Sequence, residues 1–316
     1  MFNLKCGMFE ESKKSTSSEN LIINIIVFIA IFLIIILTES IIPTILSNPE
    51  LQQRFQEEGL IKNVDFERMM EISTEVNMKP KYFIPTLFCN GFGTLISIIY
   101  CRFIEARYLS SMGMRKKKAG IHYLQGLAVG IILMTAIVLL SVAFGINSIS
   151  LCSNINFGLI LLYFIGFIIQ GMSEEFIFRG YLMNTLGSRH HAVIAVGVSA
   201  VAFSLAHLTN PGFNFLIFIN LSLFGVFASL YMIAFDDIWG VCAIHSIWNF
   251  TQGSFYGISV SGTGNTESIF RTTAISSSKL LTGGNFGIEG SIITTIVLCF
   301  GIALILYKIR KNKLIY

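Results

Sequence analysis

Glu174 and Glu175 stand side by side at the end of a long charge-free run, and Arg179 follows one helical turn later. On a helix Glu175 and Arg179 are i and i+4 and share a face, which predicts an ion pair, whereas Glu174 points about 100° away and is left free to act. Two more places bring polar groups into apolar sequence: Phe203 with His207, and His245 with Asn249, each pair again at i, i+4. An ionisable side chain inside a membrane helix costs about 3 kcal/mol or more unless it is paired or reaches water, so each of these is a candidate for function. One carboxylate, two histidines and an asparagine are what hydrolysis of an amide by water requires. Glu174 takes a proton from the water as general base, His207 holds and polarises that water, and His245 with Asn249 donates hydrogen bonds to the developing oxyanion. No GxSxG occurs, and the six cysteines are scattered singly with no CxxC pair, so water rather than a side chain is the implied nucleophile.

The same groups have plainer readings: a buried charge cluster that only orients helices, an interfacial histidine at a span end, and an asparagine that joins helices for about 1 kcal/mol. Glu174, His207 and His245 also amount to the His₂Glu set of a catalytic zinc with an open fourth position. Against zinc, no HExxH places two histidines on one helix face, and a glutamate used as ligand is not available as base. The pairing of His245 with Asn249 suits oxyanion donation better than ligation. The expectation is therefore no cofactor, with zinc on those three side chains as the alternative.

The elements that must hold these groups are membrane helices. Of 316 residues, 53% are hydrophobic and 13% charged, with a mean hydropathy of +0.71, outside the range of soluble enzymes. No Asp, Glu, Lys or Arg lies between Lys118 and Glu174, or between Asp237 and Glu267. Spans are predicted at 21–46, 82–104, 121–146, 157–186, 192–208, 214–234, 238–257 and 289–307, each near the ~20 residues a bilayer requires. The fold class is thus an all-α integral membrane protein of about eight transmembrane helices, with catalytic groups on the fourth, fifth and seventh. Glu174 lies 15 residues before Arg189, and His207 lies 16 after His191, so both sit about 22 Å from one turn and can face each other. His245 is nearer its own turn at Asp236 and Asp237, and a tilt or break must bring it to the others.

A net charge of +4, with Lys and Arg at segment ends, argues against nucleic acid as a partner. The positive-inside rule puts both chain ends on the cytoplasmic side of a cell membrane, with Lys5, Lys13 and Lys14, the Arg115–Lys118 cluster, Arg189, and Lys308 to Lys313. Residues 48–80, mixed in charge, allow a short amphipathic helix on the other side, and 258–288 form a Gly, Ser and Thr-rich connector. This divides the chain into residues 1–80 (tail, first span, polar segment), 81–156 (second and third spans), 157–257 (the core bearing the polar groups) and 258–316 (connector and last span).

Together, EExxxR at Glu174, Glu175 and Arg179, FxxxH at Phe203 and His207, and HxxxN at His245 and Asn249 resemble the signatures of the CPBP membrane proteases. These are also called the Abi family, which includes the type II CAAX prenyl endopeptidases. The resemblance covers about 100 residues, 157–257, and residues 1–80 match nothing in it. It implies an eight-helix fold with a catalytic cavity inside the membrane and proteolysis of a membrane-tethered protein or peptide. It also implies Glu174 as base, with Glu175, Arg179 and Phe203 supporting it. A prenylated substrate is not implied, since a composition rich in Ile, Asn, Phe and Lys suggests a bacterial A/T-rich genome. The competing functions are a catalytically idle immunity or peptide-binding protein of the same fold, and a transporter using Glu, Arg and His as a proton relay. No inverted repeat supports the transporter.

Overall fold

The computed structural model describes residues 6–312; Lys5 and Lys313 lie outside the described residues. A short helix, α1 (Gly7–Ser12), precedes the long α2 (Leu21–Glu57), and the amphipathic α3 (Phe66–Asn77) leads into α4 (Pro80–Ile104). Then come α5 (Ala119–Ala143), α6 (Phe157–Arg189), α7 (Ala192–Leu205), α8 (Phe215–Phe235), α9 (Trp239–Phe250) and α10 (Ile292–Lys311). Starts are marked by side chains that take up free backbone amides: Asn20 for α2, Asn156 for α6, Asn214 for α8 and Ser291 for α10.

The protein is mostly helical, and six of these helices (α2, α4, α5, α6, α8 and α10) are long and apolar enough to cross a membrane. The other two expected spans are shorter, with 14 residues in α7 and 12 in α9. Their positions explain it. α9 packs against α5, α6 and α8, and Gly240 to Asn249 are all buried, so the helix meets protein on every side. Irregular backbone at either end of it is satisfied by neighbours and not exposed to lipid. By contrast Ile22, Ile26, Ile29, Leu33 and Leu37 of α2 are exposed, as a lipid-facing stripe requires.

Close approach of α9 to its neighbours depends on glycine. A Cβ on Gly130 of α5 would lie 2.8 Å from the Ile244 carbonyl oxygen, and one on Gly126 would lie 2.9 Å from the Ala243 Cβ. From the other side, a Cβ on Gly171 of α6 would lie 2.6 Å from the Ser246 amide nitrogen. Small residues at such contacts let membrane helices pack by dispersion where lipid offers no hydrophobic drive.

α6 changes pitch directly after Glu175: Phe176–Met183 is π-helical. A wider turn misaligns the i→i−4 ladder and leaves carbonyls to be satisfied from outside. Ser199 Oγ donates to the Phe178 carbonyl at 2.8 Å, and Arg107 Nη2 donates to the Gly180 carbonyl at 3.2 Å. Arg107 is itself buried, held by Glu105 at 3.0 Å and Thr185 at 2.8 Å.

The bundle has two distinct ends. At one, Arg115 pairs with Glu11 at 3.0 Å and Asp236 at 2.8 Å, and Arg189 pairs with Glu19 at 2.7 Å. At the other, strand β1 (Asn147–Leu151) pairs antiparallel with β2 (Phe270–Ala274), Asn147 opposite Ala274 and Leu151 opposite Phe270. This ribbon is a short addition to a mostly helical chain, and its second strand lies within the 258–288 connector. A second difference is the length of α2, which continues helical past Leu46 to Glu57. Its polar end is held there, since Arg54 reaches Glu58 at 3.6 Å and Glu75 of α3 at 3.3 Å.

Gly130→Ala is expected to destabilise the fold by about 1–3 kcal/mol through overpacking, whereas Gly197→Ala, which meets nothing within 4 Å, is expected to be neutral or stabilising. Thermal unfolding in detergent compares the two, and equal midpoints would refute the close-contact account of α5 and α9.

Candidate active site

A cavity of about 400 Å³ lies between α2, α4, α6, α7, α8 and α9, and Glu174, His207, His245 and Asn249 all line it. Beneath its floor the Glu175 and Arg179 side chains are wholly buried and paired, Nη1 to Oε1 at 2.9 Å. The guanidinium lies 4.6 Å over the Phe203 ring, which supplies π-electron density to a cation whose Nε and Nη2 have no hydrogen-bond partner. Phe203 also packs edge-on against the His245 ring, with centroids 5.7 Å apart. The aromatic of the FxxxH motif thus supports both the arginine and the second histidine.

Each histidine is oriented through one nitrogen. His245 Nδ1 is 2.8 Å from Glu175 Oε1, and His207 Nδ1 is 2.9 Å from the Phe203 carbonyl oxygen. Both partners are acceptors, so both Nδ1 atoms carry the proton. The remaining nitrogens converge on a single atom: His245 Nε2 is 3.7 Å and His207 Nε2 is 4.0 Å from Glu174 Oε2. Among the described residues Glu174 Oε2 has no hydrogen-bond partner. Its other oxygen is taken by the Gln170 amide nitrogen, and the Gln170 carbonyl in turn accepts from Asn249 Nδ2 at 2.8 Å. A chain of three side chains therefore engages one oxygen of the carboxylate and leaves the other unpaired among the described residues.

The helix ends account for the meeting of these groups. α7 stops at Leu205, and His207 sits in the turn beyond it, not on a helical span. α9 begins two residues after the Asp236–Asp237 turn, and its packing against α6 brings His245 Nε2 to 3.7 Å from Glu174 Oε2. Gln170 and Ser173 are site residues that the motifs did not indicate, as is Glu39 of α2, which reaches the same cavity. Gln170 was detectable in principle, as a polar residue one turn before Glu174 in an apolar run.

A zinc ion bound at roughly 2.0–2.2 Å in tetrahedral geometry holds its N and O ligands about 3.3 Å apart. The two Nε2 to Oε2 separations are wider than that, and among the described residues no group of three His, Cys, Asp or Glu side chains is arranged to hold a metal ion. The donor set as it stands does not fit zinc at ordinary bond lengths. Separations of 3.7 and 4.0 Å leave space for an oxygen atom hydrogen-bonded at about 2.8 Å from each side.

Residues 156–251 match the family model of the Rce1-like type II CAAX prenyl endopeptidases. The match spans about a third of the chain and contains all seven motif residues. No match is found among curated proteins.

Removing one member of the buried pair strands the other, a loss of about 3–5 kcal/mol. Arg179→Ala and Glu175→Gln are accordingly expected to cut the yield of monodisperse protein sharply. A variant as heat-stable as the parent would show that the pair does not carry the fold.

Proposed function

We propose that this chain, which carries a CPBP-family core in residues 156–251, is an intramembrane endopeptidase that hydrolyses a peptide bond of a membrane-associated protein or peptide. The observation that carries the reading is the unpartnered Glu174 Oε2 flanked by two histidine Nε2 atoms. A water bound there donates one proton to Glu174 Oε2 and the other to His207 Nε2, which leaves an oxygen lone pair for the substrate carbonyl carbon. As the C–O bond forms, Glu174 takes the first proton, and negative charge builds on the former carbonyl oxygen. His245 is flanked by two carboxylates, and one guanidinium serves both, a charge balance completed when the ring carries both protons. Its Nε2–H then faces the oxyanion together with the second N–H of Asn249. Collapse of the tetrahedral intermediate breaks the C–N bond, and the proton held by Glu174 goes to the leaving amine. Gln170 is a positioning residue in this scheme, since it selects which Glu174 oxygen is free.

In the membrane, α7 and α9 join the six long helices to make eight segments. The end bearing residues 6–20, 102–118, 189, 236–237 and 308–312 holds twelve Lys and Arg against six Asp and Glu. The other end, residues 50–81, 145–156 and 256–290, holds seven against nine. The first is therefore the cytoplasmic end of a multi-pass protein of a bacterial cell membrane.

Glu174→Gln is expected to abolish cleavage of a peptide library by the purified protein, read by mass spectrometry, with folded yield retained. General-base catalysis contributes about 10²-fold or more, so residual activity above about a tenth would remove Glu174 from that role. His245→Ala and Asn249→Ala are expected to lower kcat by about 10²- to 10³-fold with little change in KM; an effect on KM alone would make them substrate-binding groups. Elemental analysis before and after chelation tests the water mechanism directly. Activity that survives chelation supports it, and stoichiometric zinc whose removal and return switch activity off and on would overturn it.

A further inference from the structure

The catalytic cavity continues beyond Glu174. Ile36, Glu39, Phe83, Thr86, Asn90 and Thr263 line both it and a second cavity of about 510 Å³. This vestibule runs beneath α3, past Met70 and Thr74, between the second half of α2 and the loops at Pro211 and Gly262. All of these belong to the end that carries the β-ribbon, opposite the basic one.

We infer that the substrate reaches Glu174 from the extracytoplasmic face, through the vestibule under α3, as an uncharged or basic peptide segment. The inference rests on the protease reading and on the cytoplasmic placement of the basic end.

The charge selection follows from the lining. Among the described residues no Lys or Arg lines either cavity, while Glu39 stands at their junction and Glu174 and Glu289 line the inner one. Glu39 is seated from outside its own helix, Oε1 accepting from the Gly93 amide at 3.1 Å. A Cβ at position 93 would lie 2.6 Å from that oxygen, so glycine there is what lets the α2 carboxylate rest on α4. Ser173, 1% exposed, lines the catalytic cavity, and its Oγ has no hydrogen-bond partner among the described residues. Three acidic side chains and no Lys or Arg along a low-dielectric passage favour a cation over an anion. The route also accounts for residues that lie outside the matched core: 36–90 and 260–263 form the passage and not the chemistry.

Thiol accessibility tests both parts without relying on proteolysis. Thr86→Cys, and Thr263→Cys as a second site should the first not fold, are treated in intact cells with membrane-impermeant methanethiosulfonates, one cationic and one anionic. The parent chain serves as blank, and each rate is normalised to that of a small thiol in solution. Modification from outside is expected, with the cationic reagent favoured about tenfold and the preference falling when Glu39→Gln is added. Modification only in inverted vesicles or permeabilised cells would overturn the route, and equal normalised rates would overturn the charge selection. A failure of the protease reading registers separately, as cleavage that persists in Glu174→Gln.

Discussion

Glu175 and Arg179, paired at 2.9 Å with no solvent contact, set the position of the two histidines that face Glu174. Neither charge is tolerable alone at this depth, so the pair cannot open without the fold paying for it. Glu175 anchors His245 by its Nδ1, and Arg179 holds the face of Phe203, which in turn carries His207 one turn later through its carbonyl. Both histidines are thus fixed from behind by partners that trace back to one ion pair, and their free nitrogens point the same way. Glu174 follows Glu175 by adjacency, about 100° round the helix, and is the carboxylate left facing the cavity.

Such a pair requires neighbours that approach closely and a backbone that bends at the correct place. Glycines 126, 130 and 171 bring α5 and α6 to within backbone contact of α9, which closes the space round Glu175 to water. The π-helical turn beginning at Phe176 releases carbonyls that Ser199 and Arg107 take up. The irregular turn is thereby tied to α7 and to the buried Glu105–Arg107 pair. Stability and site geometry share these contacts, since the same side chains that satisfy the backbone also hold α6 in register with α7.

Much of the site was legible because polar residues in apolar sequence are conspicuous: Glu174, Glu175, Arg179, His207, His245 and Asn249 all stand out against charge-free runs. The i, i+4 rule foresaw the ion pair, since it needs only helical geometry. Gln170 and Glu39 were not legible. Gln170 is uncharged, and its role depends on Asn249 arriving from another helix. Glu39 looks like an ordinary residue near the end of an apolar run until Gly93 of α4 supplies its partner. The β-ribbon was missed for a similar reason: its two strands are more than 110 residues apart in sequence, and neither is long or apolar enough to announce itself. Segment lengths were least legible where a helix is enclosed by protein, as in α9, because the bilayer sets length only for helices that meet lipid.

The division of labour within the chain follows from where each group is rooted. Every side chain given a part in the proposed hydrolysis sits on α6, in the turn after α7, or on α9, and all lie within residues 156–251. The walls of the approach come from α2, α3, α4 and the loops at 211 and 262–263, which attach to the core through side-chain contacts such as Glu39 to Gly93. On the proposed route, substitutions in those walls are expected to alter which segment can enter without moving the carboxylate or the histidines, because the anchors of the latter lie behind the cavity and not along it. A chemistry fixed by one buried ion pair is thereby compatible with a change of substrate by rebuilding only the passage.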